Sequence, residues 1–189
     1  MWRYLDGTGV LLFAACRFET PEGKVVLPYC CGADAWRWKA PQAPRPLYGL
    51  DRLAVRPDAP VLVVEGEKAA DAAALLFPDY VVVAWQGGSK AVGKADWSVL
   101  SGRAVILWPD NDKSGIGAMA DVSEALREVG AARVAVVRVP GGWPEGWDLA
   151  DPPPEGADAD TLRGMLAGAE AARNLARMLG AEEEGRRHG

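Results

Sequence analysis

The chain has 189 residues, 49% of them hydrophobic and 25% charged, with a formal net charge of −5. This length suits one ordinary domain with a small appendage, and the composition is that of a folded globular protein, which excludes a multidomain machine, a disordered chain and a fibrous repeat. The charge is uneven: residues 1–59 carry 8 basic and 6 acidic side chains, residues 60–151 carry 8 and 13, and residues 152–189 carry 5 and 7. A non-specific basic coat for DNA is therefore excluded, and any nucleic-acid contact must be local or carried by bound cations.

Residues 10–18 and 24–30 are apolar-rich and flank Thr20-Pro21-Glu22-Gly23, with Pro second and Gly fourth as a type I turn prefers, which predicts a hairpin. Trp36-Arg37-Trp38 alternates as a short strand does. Three prolines between Pro41 and Pro46 then predict an extended connector that cannot run inside a sheet. We expect a β-hairpin-rich segment over 1–46, a connector over 47–59, an α/β domain over 60–151, and a C-terminal helix with a frayed tail over 152–189.

From Val61 onward the pattern changes to short apolar runs without alternation: Val61 to Val64, Tyr80 to Ala84, Ala104 to Trp108 and Val134 to Val139. Strands buried on both faces read this way, so a mostly parallel sheet with helices on both faces is predicted, with the hairpin outside it. Helices are predicted over 68–77 and, from Ile116, Met119, Val122, Leu126 and Val129 at helical spacing, over 114–129 with Gly130 as a stop. After Pro152-Pro153-Pro154, the residues Leu162, Met165, Leu166, Ala169, Ala172 and Leu179 mark an amphipathic helix. No apolar run approaches the ~20 residues that span a bilayer, and the N-terminus lacks the layout of a signal peptide, so the expectation is a cytoplasmic protein without a membrane segment.

The available chemistry is narrow. Cys16, Cys30 and Cys31 form no CxxC pair and the only histidine is His188, so neither a zinc site nor a Ser-His or Cys-His couple is on offer. Carboxylates remain. Two predicted strands run into acid: Val61 to Val64 into Glu65-Gly66-Glu67-Lys68, and Ala104 to Trp108 into Pro109-Asp110-Asn111-Asp112-Lys113-Ser114. In an open parallel sheet, ligands bind beyond the carboxyl ends of the strands. Asp110 and Asp112, two apart, face one side of an extended chain, and Glu65 from a neighbouring strand can complete an oxygen cage for Mg²⁺. The plainer alternative is that Glu65 is an exposed strand end and that Asp112 or Ser114 caps the following helix.

Read together, the motifs carry a resemblance. Pro60-Val-Leu-Val-Val-Glu-Gly-Glu-Lys-Ala-Ala-Asp71, Trp85-Gln-Gly-Gly-Ser-Lys90, Trp97-Ser-Val-Leu-Ser-Gly-Arg103, Trp108-Pro-Asp-Asn-Asp112 and Gly146-Trp-Asp-Leu-Ala-Asp151 resemble successive motifs of the Toprim domain of bacterial primases, topoisomerases and recombination nucleases. They are most similar to the primase or primase-helicase proteins of phages and mobile elements, over roughly Leu47 to Asp151. The resemblance implies a Toprim fold, Glu65 as catalytic glutamate and metal ligand, Asp110 and Asp112 as the metal-binding pair, and Asp148 as an outer contributor. It also implies Mg²⁺ or Mn²⁺, NTPs and a single-stranded DNA template for primer synthesis. A Toprim nuclease and a non-catalytic metal-binding replication adaptor are the alternatives. Two departures stand out: many primases have an aspartate where this chain has Ala69, the nearest acid being Asp71. Neither a zinc ribbon nor a P-loop ATPase is seen, so a helicase or zinc-ribbon module on another chain is the expected partner.

Gly88 to Ala95 fits GxxxxGK, but Ala95 stands where a P-loop needs Ser or Thr to hold Mg²⁺, and no long helix fits before the next strand. Gly87, Gly88 and Lys90 instead suit a backbone-and-ammonium cradle for phosphate, or else a simple turn. Lys68 and Lys113 flank the acids and balance their charge or meet phosphates, with ion pairing expected for Lys68. Of the eight tryptophans, Trp36 and Trp38 lie in Trp36-Arg37-Trp38-Lys39, a pattern that stacks on single-stranded bases, although core packing is the expected use.

Overall fold

The computed structural model describes residues 1–32 and 35–171, folded as two sheets. The first is antiparallel, with strands β1 (Trp2–Leu5), β2 (Leu11–Thr20), β3 (Gly23–Cys31) and β4 (Trp36–Trp38) in spatial order. The predicted turn closes the hairpin, with Thr20 paired to Gly23 and the Thr20 hydroxyl donating to the Gly23 carbonyl at 2.8 Å. The core of this sheet is small: Tyr4, Phe13 and Ala15 are buried, and the Tyr4 and Phe13 rings stack at 4.0 Å.

The stretch expected as a bare connector holds structure of its own. Tyr48 exchanges two backbone hydrogen bonds with Ala84, at 2.8 and 3.3 Å, and helix α1 (Leu50–Val55) follows. Leu47 and Leu53 are buried in the second core, and that burial makes so short a helix stable.

The second sheet is built from β5 (Val61–Val64), helix α2 (Glu67–Leu76), β6 (Val81–Val83), two 3₁₀ turns at Ser89–Lys94 and Trp97–Leu100, β7 (Ala104–Trp108), helix α3 (Lys113–Glu128) and β8 (Arg133–Val136). Helix α4 (Ala159–Ala167) and the two-residue strand β9 (Glu170–Ala171) complete it. The spatial order is β6-β5-β7-β8-β9, with the first four strands parallel and β9 antiparallel to β8.

Non-alternating apolar runs have the expected cause. Val61 and Val63 of β5 point into a core shared with Met119, Val122 and Leu126 of α3, whereas Leu62 and Val64 point into one shared with Ala69, Ala70 and Ala73 of α2 and Leu162 and Leu166 of α4. Each fully buried Val or Leu contributes about 1.5–3 kcal/mol relative to exposure, so the central strands dominate stability. The fold is thus α/β, with helices on both faces of a mostly parallel sheet and an antiparallel β-rich segment ahead of it.

The C-terminal helix is shorter than its periodicity predicts. It starts with Asp158, whose carboxylate accepts from the Thr161 amide at 2.8 Å in a capping box, and stops at Gly168. Ala169 lies beyond that helix, and Ala171 pairs with Ala135 on the edge of β8. The unpaired edge of a buried strand competes with helix propagation for these residues, and hydrophobic spacing alone does not register that competition. Ala172, Leu179 and the tail fall outside the described residues. Among the described residues no helix is long and apolar enough to cross a membrane.

Candidate active site at the ends of strands β5 and β7

The chain leaves β5 towards β6 on one side and returns to β7 on the other, so the strand order reverses between β5 and β7. A crevice at the carboxyl ends of the strands forms at such a reversal, because the flanking crossovers lie on opposite faces. Val64 pairs with Trp108, which puts Glu65 and Asp110 just beyond the two strands that border the crevice.

A third segment joins them through a residue the sequence reading left unassigned. The Asn111 side-chain amide donates to the carbonyls of Trp143 and Pro144 at 2.9 and 3.0 Å. Its backbone amide donates to Trp147, and its carbonyl accepts from Gly146, both at 3.0 Å. Asn111 therefore pins the 143–148 loop to the end of β7 and sets Asp148 beside Asp110. An amide between two aspartates, with both donor and acceptor capacity, was the available signal. Gly115 is the second omission. A side chain there would meet Asp110 backbone and Cβ at 2.8–3.0 Å, so glycine lets the first turn of α3 close against the acid. A glycine inside a helix, where it costs about 1 kcal/mol, pointed to such a close approach.

The electrostatics show how tightly the acids are gathered. Asp110 is pushed up to about 8, first by burial and then by the charges of Glu65, Asp148, Asp112 and Asp151. Glu65 is also raised, by burial above all and by Asp112, while the Ser89 backbone amide pulls the other way. One Glu65 oxygen, Oε2, is buried without a hydrogen-bond partner. Buried orphan acceptors are rare and costly, and repulsion among carboxylates adds to the cost.

No ready-made cage exists, however. Among the described residues no three acidic, cysteine or histidine side chains stand close enough to hold one ion, so the cage expected from Glu65, Asp110 and Asp112 is not formed by the side chains as they stand. The reason is local bonding: Asp112 Oδ1 accepts from the Gly115 amide at 2.7 Å and caps α3, the plainer role foreseen for it, and Asp148 Oδ1 accepts from the Ala150 amide. Each keeps a second oxygen. Mg²⁺ is usually held by one or two carboxylates, with waters and substrate phosphates filling the octahedron. The orphaned Glu65 Oε2, the raised Asp110 and an all-oxygen donor set fit such an ion.

The Gly87-Gly88-Ser89 loop closes over the site. A side chain at Gly88 would lie 3.5 Å from Glu65 Oε1, and the Ser114 hydroxyl donates to the Ser89 hydroxyl at 2.8 Å, tying the loop to the start of α3. Lys90 and Lys113 follow Ser89 and Asp112 in the chain and are exposed, and neither forms an ion pair among the described residues. Lys68 pairs with Asp151 at 3.7 Å. Residues 89–94 form a 3₁₀ turn, not the long helix a P-loop requires.

The antiparallel sheet reaches this region through α2. Tyr4 donates to Glu67 at 2.7 Å in a buried contact, and Asp71, one turn on, accepts from Trp2 at 2.9 Å and from Tyr48 at 2.7 Å. Asp71, two residues beyond Ala69, anchors the N-terminal sheet here.

Among curated proteins, none matches this sequence. A family model described as a domain of unknown function, DUF6371, matches residues 31–111, a stretch that includes Glu65 and Asp110. Solved structures extend the likeness. The zinc-binding and RNA polymerase domains of the Aquifex aeolicus primase are 19% identical with a TM-score of 0.62, covering 95% of this chain and 44% of that one. A DnaG catalytic core is 18% identical with a TM-score of 0.61, covering 93% and 54%. The E. coli primase catalytic core is 18% identical with a TM-score of 0.55, again covering 93% and 54%. The chain thus spans about half the length of the primase structures it matches, and over that half it has the fold of a bacterial primase catalytic core.

Proposed function

We propose that this chain is a metal-dependent, primase-type nucleotidyltransferase of the Toprim family that synthesises primers on single-stranded DNA. The observation that carries the reading is the buried, partnerless Oε2 of Glu65 beside an Asp110 pushed up to about 8 at a strand-order reversal. Strongly perturbed carboxylates in a crevice mark functional sites, and primase cores share the surrounding fold.

Glu65, Asp110, Asp112 and Asp148 would hold Mg²⁺ or Mn²⁺. When bound, the ions would supply charge stabilisation on an NTP triphosphate while a 3′-oxygen bonds to its α-phosphorus and the bond from that phosphorus to the bridging oxygen breaks, releasing pyrophosphate. The protein's own share is positioning. Glu65, held under the Gly88 loop, is the proposed group that orients or deprotonates the attacking hydroxyl, a role supported by an oxygen with no protein donor of its own. Gly87, Gly88, Lys90 and Lys113 are the proposed phosphate contacts, with the glycine backbone making room for the phosphates and the two ammonium groups offsetting their charge. A helicase or a zinc-ribbon module is the proposed partner for template recognition.

The test is primer synthesis on single-stranded DNA with NTPs, with and without Mg²⁺, using wild type and Glu65→Gln. Metal-dependent product is expected from wild type, and a loss of about 10²–10⁴ in rate from the variant, which should melt at or above the wild-type temperature without metal because a crowded charge is removed. Plasmid nicking without primer product would move the assignment to a Toprim nuclease. Wild-type rates from Glu65→Gln would remove the catalytic role.

A further inference from the structure

The N-terminal segment grips the site through a residue outside its sheet. Trp36 and Trp38 do not pack in the core as expected, being 38% and 55% exposed. Arg45, further along, holds both ends of the loop that covers Glu65. Its backbone amide donates to the Lys94 carbonyl and its carbonyl accepts from the Asp96 amide, each at 2.7 Å, while its side-chain Nη1 donates to Gln86 Oε1 at 2.7 Å. We propose that Arg45 is a positioning residue, a staple that keeps the 86–96 loop ordered over Glu65 before any substrate arrives. The proposal rests on the reading above only for the choice of substrate.

The bonding pattern is that of a clamp. Arg45 is half-buried and forms no ion pair among the described residues. Both acceptors of its side chain are neutral: Gln86 Oε1 and, for Nε at 3.1 Å, the Pro41 carbonyl. A planar guanidinium meets two such acceptors in fixed directions, which a lysine ammonium cannot do. Gln86 is only 7% exposed, so this contact sits at the root of the loop and not at its tip.

The loop needs an outside hold because Gly87 and Gly88, at φ of 106° and 69°, leave their conformations cheaply. A side chain at Gly87 would meet Ala91 Cβ at 2.8 Å and Arg45 Nη1 at 3.4 Å, so glycine is also what lets the guanidinium in. Inside the loop, the Trp85 indole donates to the Gly88 carbonyl at 2.8 Å and the Trp97 indole to the Val92 carbonyl at 3.0 Å. At its working end the Ser89 amide donates to Glu65. Contacts therefore run without a gap from Arg45 through Gln86 and the two glycines to the acid. Pinning both ends lowers the entropy that the loop loses when it orders around a ligand.

The experiment breaks the contact from either side in the full chain, with Arg45→Met, which keeps the stem and both backbone bonds, and with Gln86→Met. Native-state hydrogen exchange should show the Ser89 and Ala91 amides exchanging about tenfold faster or more in each variant, with β5 and β7 unaltered. The double variant should be no faster than either single one, because both remove the same bond. In primer synthesis with Mg²⁺, both variants should raise the KM for NTP about fivefold to fiftyfold and leave kcat within about threefold, since the loss is one of loop order. Unaltered exchange at Ser89 and Ala91 would overturn the proposal, as would equal acceleration in β5 and β7, the mark of global destabilisation. A KM change in Arg45→Met that Gln86→Met does not share would make Arg45 a direct substrate contact and overturn it too. Local acceleration in a chain that makes no primers would sink the enzymatic reading alone, whereas synthesis by wild type with unaltered exchange in the variants would sink this one alone.

Discussion

The two sheets use apolar side chains in opposite ways. All four side chains of β5 are buried, between helices on both faces, whereas Phe18, Val25, Val26 and Leu27 of the β2–β3 hairpin are each about two-fifths exposed. Hydrophobic content is similar in the two regions, so what differs is coverage. Helices cover the parallel sheet because crossover connections force them onto its faces, while a hairpin connection adds no layer. The consequence is a division of labour. A rigid, doubly covered sheet can hold carboxylates in costly proximity at its strand ends, and a thinly covered sheet is left with side chains free for contact.

The largest effect separating the two regions should come from truncating a leucine to alanine in each. Leu62 is fully buried and Leu27 is 41% exposed. Leu62→Ala should cost about 2–5 kcal/mol in denaturant unfolding, through lost burial plus a cavity that the surrounding helices cannot close. Leu27→Ala should cost under about 1 kcal/mol. Equal losses would mean that the hairpin is as much a part of the core as β5 is.

A second effect, visible as a shift of melting temperature, should follow pH. Burial and the neighbouring carboxylates push Asp110 up to about 8 against an ordinary 3.8, so as pH rises from about 4 the unfolded chain gives up this proton before the folded one does. The stability this group lends is complete below about pH 4 and is lost as pH rises through about 8. Without metal, melting temperature should therefore fall between pH 5 and 8, and Asp110→Asn should flatten that fall. Metal ions compete with the proton for the same oxygens, so Mg²⁺ should raise the wild-type melting temperature more at pH 8 than at pH 5. An unchanged pH slope in Asp110→Asn would show that its repulsion is relieved in some other way.

Much of this contrast was legible in the amino-acid order. The unbroken runs at 61–64 and 104–108 revealed strands buried on both faces, and their acidic ends revealed the crevice, because short-range patterns report directly on local burial. Contacts between distant segments were not legible. Nothing near Asn111 shows that its side chain will hold Trp143 and Pro144, and nothing near Trp38 shows that no layer will cover it. Helix α1 escaped because six residues carry too little periodicity, its stability coming from Leu47 and Leu53 packing at long range. Asp112 showed both of its capacities in sequence, capping and ligation, and only the folded chain commits one oxygen to the cap.

The smallest effect probes the joint between the sheets. Tyr4 donates to Glu67 in a buried contact, and burial raises the Glu67 carboxyl against the lowering effect of that hydrogen bond. Tyr4→Phe keeps the ring on Phe13 but leaves a buried acceptor without its donor, at a cost of about 1–2 kcal/mol. The remaining links to α2 through Asp71 come from Trp2 and Tyr48 near the surface, where water replaces a lost hydrogen bond cheaply. If the antiparallel sheet is the separately held layer that its exposure suggests, the loss should be local. Native-state hydrogen exchange should then show reduced protection in β1, β2 and β3, with β5 and β7 unaltered. Equal loss of protection in both sheets would mean that Tyr4 and Glu67 join them into one cooperative unit, and the contrast between a rigid chemical half and a loosely docked contact half would fail at its hinge.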